Sequence, residues 1–284
     1  MAGDLHTHTN YSDGSTPIQR LPFLAARAGL THLAISDHDC MKSVRYAYAN
    51  PCVEGVQLIP ATELTAYDFQ RGQRVHLLCY WPDDCKALEQ HCTLMEDRRN
   101  AVCMQSAREL EALCPQFRVQ DALDYAQSGG GVLYKATIMR VLMDIGQAQS
   151  IYGSTYKRLF GKSSAPGPIL HDPAYETVAD VLKTARAARA VVVLAHPSVY
   201  HSMPLAHELA AAGLIDGVEI DHPRNTPQDQ QELHRLAQQY DLIVSGGTDY
   251  HGMHSKDPRP VGTCTTTDDQ LRRIAQKAEE YKKN

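Results

Sequence analysis

Two histidines one residue apart stand in the stretch DLHTHTNYSDGSTP, residues 4–17. Spacing by two places His6 and His8 on one side of an extended chain, and Asp13 follows shortly. Imidazoles and carboxylates are ligands for divalent cations such as zinc, manganese and iron. An isolated H-x-H is a weak sign, so its weight depends on what the other apolar runs carry. SDHD (36–39) ends one run and brings His38; Glu63 ends VQLIPATE; His196 ends AVVVLAH. The last run leads into GTDYHG, with Asp249 and His251 again two apart, and His76 lies inside RVHLLCYW.

Each of these residues has a plainer use. His76, between Val75 and Leu77, also fits a core histidine, and Asp13 before Gly14 also fits a turn. Asp37 and Asp39 are expected to orient neighbouring imidazoles. Surface or packing roles are expected for His32, His91, His207 and His234. Taken together, six histidines and three carboxylates without a thiolate suit Zn²⁺, Mn²⁺ or Fe²⁺ better than a cysteine-rich structural site. They exceed what one ion takes. Shared across two or three ions through a bridging carboxylate, they leave open positions for water and substrate, which is the arrangement of catalysis.

Seven apolar runs must position these ligands: residues 2–5, 31–36, 56–63, 74–81, 190–196, 216–221 and 241–249. Helical patterns at 177–189, 204–212 and 228–239 separate the later ones, so the sequence predicts a parallel sheet, open or closed into a barrel. In a parallel barrel the C-terminal strand ends gather on one face, which would unite the ligands. Thr16 and Pro17, with Gln19 at capping-box spacing, predict a helix over Thr16–Ala28 stopped by Gly29. Residues 84–168 break the alternation with a long helical pattern from Lys86 to Cys114, shorter helices, a Gly129-Gly130-Gly131 break where a hinge could sit, and the loop GKSSAPGP. That stretch reads as a helical insertion forming a substrate lid. The barrel would then comprise residues 1–83 and 169–284.

The chain has 284 residues, 43% of them hydrophobic and 21% charged, enough for a packed core and unlike a disordered composition. A net charge of −5 argues against a broad footprint for duplex DNA, while leaving room for a local basic pocket. No run approaches the roughly 18 apolar residues of a membrane span. The first strand pattern leaves no room for a signal peptide and position 2 is Ala2, so a cytoplasmic protein is expected. Eight cysteines without a C-x-x-C pair read as reduced thiols.

The set HTHTNYSDG, SDHD, ATE, AHP and GTDYHG, in this order, resembles the PHP (polymerase and histidinol phosphatase) family of metal-dependent phosphoesterases, in particular its TrpH-like and nucleotide phosphatase branch among amidohydrolase-like enzymes. The resemblance implies an α/β fold, a distorted (β/α)7 barrel with a mostly helical inserted subdomain. It also implies a trinuclear centre: His6, His8, Glu63 and Asp249 on one ion; bridging Glu63 with His76 and His196 on a second; Asp13, His38 and His251 on a third. Two to three divalent ions would supply a bridging hydroxide that attacks phosphorus without a protein nucleophile. His201, His222 or an ion-held aspartate would protonate the leaving oxygen.

The branch's phosphate-contacting Arg-Pro-His corresponds here to YKATIMR, with Lys135 and Thr137 in those places, and HPG becomes HPS at Ser198. Lys135 and Arg224 are the expected binders of the substrate phosphate. The implied substrate is a small phosphorylated metabolite (a nucleotide, a sugar phosphate or a cyclic phosphodiester), with no membrane and no obligate protein partner. Two alternatives remain open: 5′-3′ exonuclease action on short RNA or DNA, and a non-catalytic metal-binding module.

Overall fold

The computed structural model describes residues 2–162, 165–257 and 259–283. Ser163 and Ser164 of the GKSSAPGP loop lie outside the described residues. The strands are β1 (Ala2–Thr7), β2 (His32–Ile35), β3 (Cys52–Val53), β4 (Val56–Asp68), β5 (Gln73–Tyr80), β6 (Glu176–Thr177), β7 (Val191–Leu194), β8 (Gly217–Asp221), β9 (Ile243–Gly246) and β10 (Thr266–Thr267). The seven longer ones coincide with the seven apolar runs. They form one sheet in the order β10-β1-β2-β4-β5-β7-β8-β9, and β3 and β6 pair only with β4. The exit of β9 returns to β1: the Asp249 amide donates to the His6 carbonyl at 2.9 Å and the His8 amide to the Tyr250 carbonyl at 2.8 Å. These bonds nearly close the sheet into the expected barrel.

One strand departs from a parallel barrel. β5 pairs antiparallel with both β4 and β7. β4 continues past Glu63 to Asp68 and folds back through a turn at 69–72, where Gly72 takes a positive φ of 67°. Residues LTAYD, rich in strand formers, and the turn QRG are the local cause. His76 therefore reaches the site from mid-strand, paired across from Thr65, and not from a strand end.

The helices are α1 (Leu21–Arg27), α2 (Met41–Ala49), α3 (Lys86–Leu113), α4 (Val119–Gln127), α5 (Lys135–Asp144), α6 (Ser154–Phe160), α7 (Val178–Ala187), α8 (Met203–Ala211), α9 (Pro227–Tyr240) and α10 (Asp268–Lys283). The helix expected over Thr16–Ala28 is divided. Ile18–Arg20 form a 3-10 turn and the α-helix begins at Leu21. Pro22 has no N–H to offer the Ile18 carbonyl, so a continuous α-helix cannot run through that turn. Thr16 caps nothing, and its hydroxyl meets the Tyr250 hydroxyl at 3.0 Å.

Two cores meet along α3. Its first turns, through Leu88 and Cys92, pack with Leu64, Val75 and Leu77 of the barrel. Its later turns, through Cys103, Ala107 and Leu110, join Phe117, Ile138, Met139 and Phe160 in a separate core built from α3 to α6. Among the described residues no helix is long and apolar enough to cross a membrane, and the cysteines are unpaired.

Candidate metal centre and active site

Alternation along β1 turns Asp4, His6 and His8 to one face, and all three are fully buried. Glu63, also fully buried, stands at the centre of the site. Its Oε2 lies 3.2 Å from His6 Nε2, 3.3 Å from His8 Nε2 and 3.0 Å from His38 Nδ1. Its Oε1 lies 2.9 Å from His76 Nδ1 and 3.0 Å from His196 Nε2. Asp249 Oδ1 closes the other side, 3.4 Å from His8 Nε2 and 3.7 Å from His6 Nε2. Asp13 Oδ1 sits 3.1 Å from His251 Nε2 and 3.9 Å from His38 Nε2. All nine residues singled out as ligands in the sequence are thus brought together.

The atoms behave as a ligand set. His6 Nε2, His8 Nε2, His38 Nδ1 and Glu63 Oε2 are buried and lack a hydrogen-bond partner among the described residues, although they face one another. Buried polar atoms are normally satisfied, and a divalent cation among these lone pairs would satisfy them. Four groups have ligand atoms close enough for one ion: His8, Asp13, His38 and His251; His6, Glu63 and His196; His6, His222 and Asp249; His38, Glu63 and His76. The donor chemistry fits hard or borderline divalent ions. These groups do not divide as the resemblance implied, since His8 also lies with the Asp13 group and His222 joins Asp249.

Burial opposes ionisation of Glu63, yet the surrounding imidazoles, His6 foremost, outweigh it and hold the carboxyl well below its usual range. Burial dominates at His76, whose pKa falls to about 4, whereas at His6, His8 and His251 the neighbouring carboxylates outweigh burial and raise it. The backbone is strained at the same place. His196 and Asp249 adopt positive φ values of 27° and 52°, a cost that persists only where surroundings enforce it. Gly247 permits the close approach of β9 to β1, because a Cβ there would lie 2.4 Å from the His6 amide nitrogen.

Further carboxylates stand behind the ligands. Asp37 accepts from the Thr9 amide (2.7 Å), the Thr9 hydroxyl (2.6 Å) and the Ser12 hydroxyl (2.6 Å), which shapes the loop carrying Asp13. Asp39 accepts from the Thr65 amide and hydroxyl and from Arg99. Contrary to expectation, neither bonds to a ligand imidazole: Asp37 holds the Thr9–Ser12 loop and Asp39 holds Thr65 and Arg99, so they position backbone around the ligands and not the rings themselves. Glu219 went unread in the sequence. It is fully buried on β8, receives His6 Nδ1–H at 2.9 Å and accepts from the His196 amide at 2.8 Å. Fixing the proton on Nδ1 leaves His6 Nε2 free to ligate. A glutamate inside the apolar run GVEID was the available signal. His91, assigned a surface or packing role, is buried between Glu176 (3.1 Å) and Asp39 (3.7 Å).

A cavity of about 730 Å³ is lined by residues of this cluster and by residues of the helical segment, among them Tyr134, Tyr152, Tyr156 and Phe160. Lys135 and Arg224 both line it, but differently from expectation. Lys135 Nζ is held by Asp172 at 2.8 Å, and Lys162 binds the same carboxylate. Arg224 is exposed at the rim. His201 is exposed and is not among the residues lining the cavity. His222 is buried, with Nε2 3.5 Å from Asp249 Oδ2. The glycine break is no free hinge. Gly130 donates to the Asn10 carbonyl at 2.9 Å, and a Cβ on it would lie 2.2 Å from the Tyr11 carbonyl oxygen. Lys42 reaches the Gly130 carbonyl as well.

Comparison with known proteins is decisive about family. The PHP domain profile matches residues 4–134. Phosphoribosyl 1,2-cyclic phosphate 1,2-diphosphodiesterase of Eggerthella lenta is 31% identical over 259 residues, 91% of this chain and 97% of that protein. The chain belongs to the PHP family. The 5′-3′ exoribonuclease Rnm of Escherichia coli is 27% identical over 263 residues, 87% of this chain and 84% of the other. A structure from Bifidobacterium adolescentis, assigned as a metal-dependent phosphoesterase, superposes with a TM-score of 0.83 at 25% identity, covering 97% of this chain and 96% of that one. This PHP protein is accordingly a metal-dependent phosphoesterase, a hydrolase of phosphoric ester bonds.

Proposed function

We propose that the chain hydrolyses phosphate esters of a small metabolite, a nucleotide, sugar phosphate or cyclic phosphodiester, using two or three divalent cations. One observation carries the reading: a fully buried carboxylate, Glu63, has five imidazole nitrogens within 3.3 Å, more than its roughly four lone-pair sites can accept. On the division that the family resemblance implies, His6, His8 and Asp249 with Glu63 would hold one ion, His76 and His196 with Glu63 a second, and Asp13, His38 and His251 a third, with His8 also in reach of the third and His222 in reach of Asp249. Bound Mn²⁺, Zn²⁺ or Fe²⁺ would supply a water ionised near neutral pH and would neutralise charge on the phosphoryl oxygens.

The protein's own groups do the rest. Glu219 holds the His6 ring in its ligating tautomer. The Arg224 amide donates to His222 Nδ1 at 3.1 Å, so neutral His222 carries its proton on Nε2, facing Asp249, where it can serve a leaving oxygen. Burial lowers the His222 pKa, which favours the neutral ring, so His222 can offer the leaving oxygen a hydrogen bond from Nε2–H while the proton that oxygen gains must come from water or an aspartic acid. Arg224 at the rim and Lys135, shared with Asp172, attract the phosphate. The helices α3 to α6 wall the cavity from bulk water.

The test is phosphate release from a panel of mono- and diesters with Mn²⁺ present. Release from small esters at rates above those from 5′-phosphorylated oligonucleotides is expected. The reverse order would favour the exonuclease reading, and silence on every ester by metal-loaded protein would refute both.

A further inference from the structure

We propose that Arg259 grips the reacting phosphoryl group and is a catalytic residue of this centre. The proposal rests on the phosphoesterase reading above and deepens it, naming the side chain that meets the charge on the phosphoryl oxygens.

Arg259 stands in the segment that follows Asp249 and His251. That segment is tied to β1 on either side of it. The Asp249 amide donates to the His6 carbonyl at 2.9 Å, and the Gly262 amide donates to Asp4 Oδ2 at 2.9 Å. Val261, between them, is buried in the core. Arg259 itself is half-buried and lines the cavity, and its Nη1 lies 3.8 Å from Asp249 Oδ2. The two oxygens of Asp249 have different neighbours. Oδ1 is turned to His8 Nε2 at 3.4 Å, His251 Nδ1 at 3.4 Å and His6 Nε2 at 3.7 Å. Oδ2 meets His222 Nε2 at 3.5 Å and Arg259. One carboxyl group therefore stands between the guanidinium and three ligand imidazoles.

Other cations of the cavity are placed differently. Arg99 is committed to Asp39, and Lys135 and Lys162 to Asp172. Lys157 and Lys256 are exposed, where water solvates them. Among the described residues, Arg259 alone of the lysines and arginines comes within 4.0 Å of a carboxylate in the ligand set. A separation of 3.8 Å is too long for a hydrogen bond, and among the described residues no hydrogen bond ends on this guanidinium. Its donors are available.

Electrostatics says what they are for. With two or three divalent cations in place, positive charge exceeds that of the three ligand carboxylates, Asp13, Glu63 and Asp249. A guanidinium added to that surplus is repelled unless an anion enters with it. The anion this centre admits is the phosphoryl group, and a planar fork of N–H donors fits its oxygens. Charge shifts among those oxygens as the transition state is approached, so a contact aimed at them raises the rate and does more than bind. Arg259 keeps its proton throughout. It forms and breaks no covalent bond, and it supplies charge and direction alone.

Inorganic phosphate titrated calorimetrically onto Mn²⁺-loaded wild type, Arg259→Gln and Arg259→Lys tests this, with metal content per chain and phosphate-release kinetics measured on the same preparations. Both variants should keep the wild-type metal content. Arg259→Gln should bind phosphate about tenfold more weakly and lose roughly 100-fold in kcat, with a smaller change in KM. Arg259→Lys should recover part of both losses. Phosphate affinity and kcat within about twofold of wild type would overturn the proposal. Metal loss in both variants would overturn it too, because Arg259 would then merely brace Asp249. A wild type that holds metal and binds phosphate yet cleaves no ester would remove the phosphoesterase reading, and the phosphate titration would then decide on Arg259 by itself.

Discussion

Replacing Arg99 with methionine tests how the helical insertion holds the metal-binding turn. Arg99, on α3, is 8% exposed. Its guanidinium donates to Asp39 Oδ2 at 2.8 Å and to the Tyr134 hydroxyl at 3.1 Å, and Tyr134 donates to the His38 carbonyl at 3.2 Å. Asp39 itself sits in a positive-φ conformation of 45° beside His38. Breaking a buried ion pair from one side costs about 3–5 kcal/mol. Here Asp39 keeps the Thr65 amide at 2.9 Å and the Thr65 hydroxyl at 2.8 Å, so the loss should be about 2–3 kcal/mol. For a chain of this size that is a fall in Tm of roughly 3–5 °C.

The same network sets a pH dependence. Burial opposes ionisation of Asp39, but His91 and Arg99 hold its pKa below the ordinary value. Its stabilisation is present above that ordinary value and is lost on acidification. Burial opposes protonation of His91 too, and Asp39 and Glu176 outweigh it and raise the pKa above 6.5. Its contribution is full below 6.5 and is lost as pH climbs through the raised value. Thermal melts of wild type, Arg99→Met, Asp39→Asn and the double variant would be recorded across pH 4 to 9. The cycle should give a coupling of about 1–3 kcal/mol. A Tm within 1 °C of wild type for Arg99→Met, or additive single effects, would refute the reasoning.

Three further outcomes are expected. Glu219→Gln should weaken metal binding about 10–100-fold by isothermal titration, because the His6 tautomer is no longer enforced; unchanged affinity would count against that role. Gly130→Ala should displace the loop carrying Asn10 and Tyr11, and a melt showing less than about 1 kcal/mol of destabilisation would mean that the contact is slack. Chelation should lower Tm, by about 2.7 kcal/mol of stability for each ion present at a hundred times its dissociation constant; a Tm indifferent to chelator would contradict a metal site in these side chains.

The elements were legible where periodicity was strong. Seven apolar runs became the seven longer strands, and strand-end histidines and carboxylates converged because barrel geometry gathers them. The direction of β5 was not legible, since a strand reads alike in either orientation and only the turn at 69–72 fixes it. Glu219 escaped because a charged residue on a strand gives no sign of which ring it faces. The pairings of Lys135 with Asp172 and of Arg99 with Asp39 span 37 and 60 positions, beyond any local pattern. Gly130 looked like a hinge because sequence shows its freedom but not the Tyr11 carbonyl against it.

The central claim is that Glu63 organises a centre of divalent cations that performs the hydrolysis. Metal content per chain, measured on wild type and Glu63→Gln after the same Mn²⁺ loading and desalting, tests it most directly when paired with phosphate release. Wild type should retain two or three ions and release phosphate. Glu63→Gln should lose at least one ion and nearly all turnover while remaining folded. A folded Glu63→Gln protein with wild-type metal content and wild-type turnover would contradict the account.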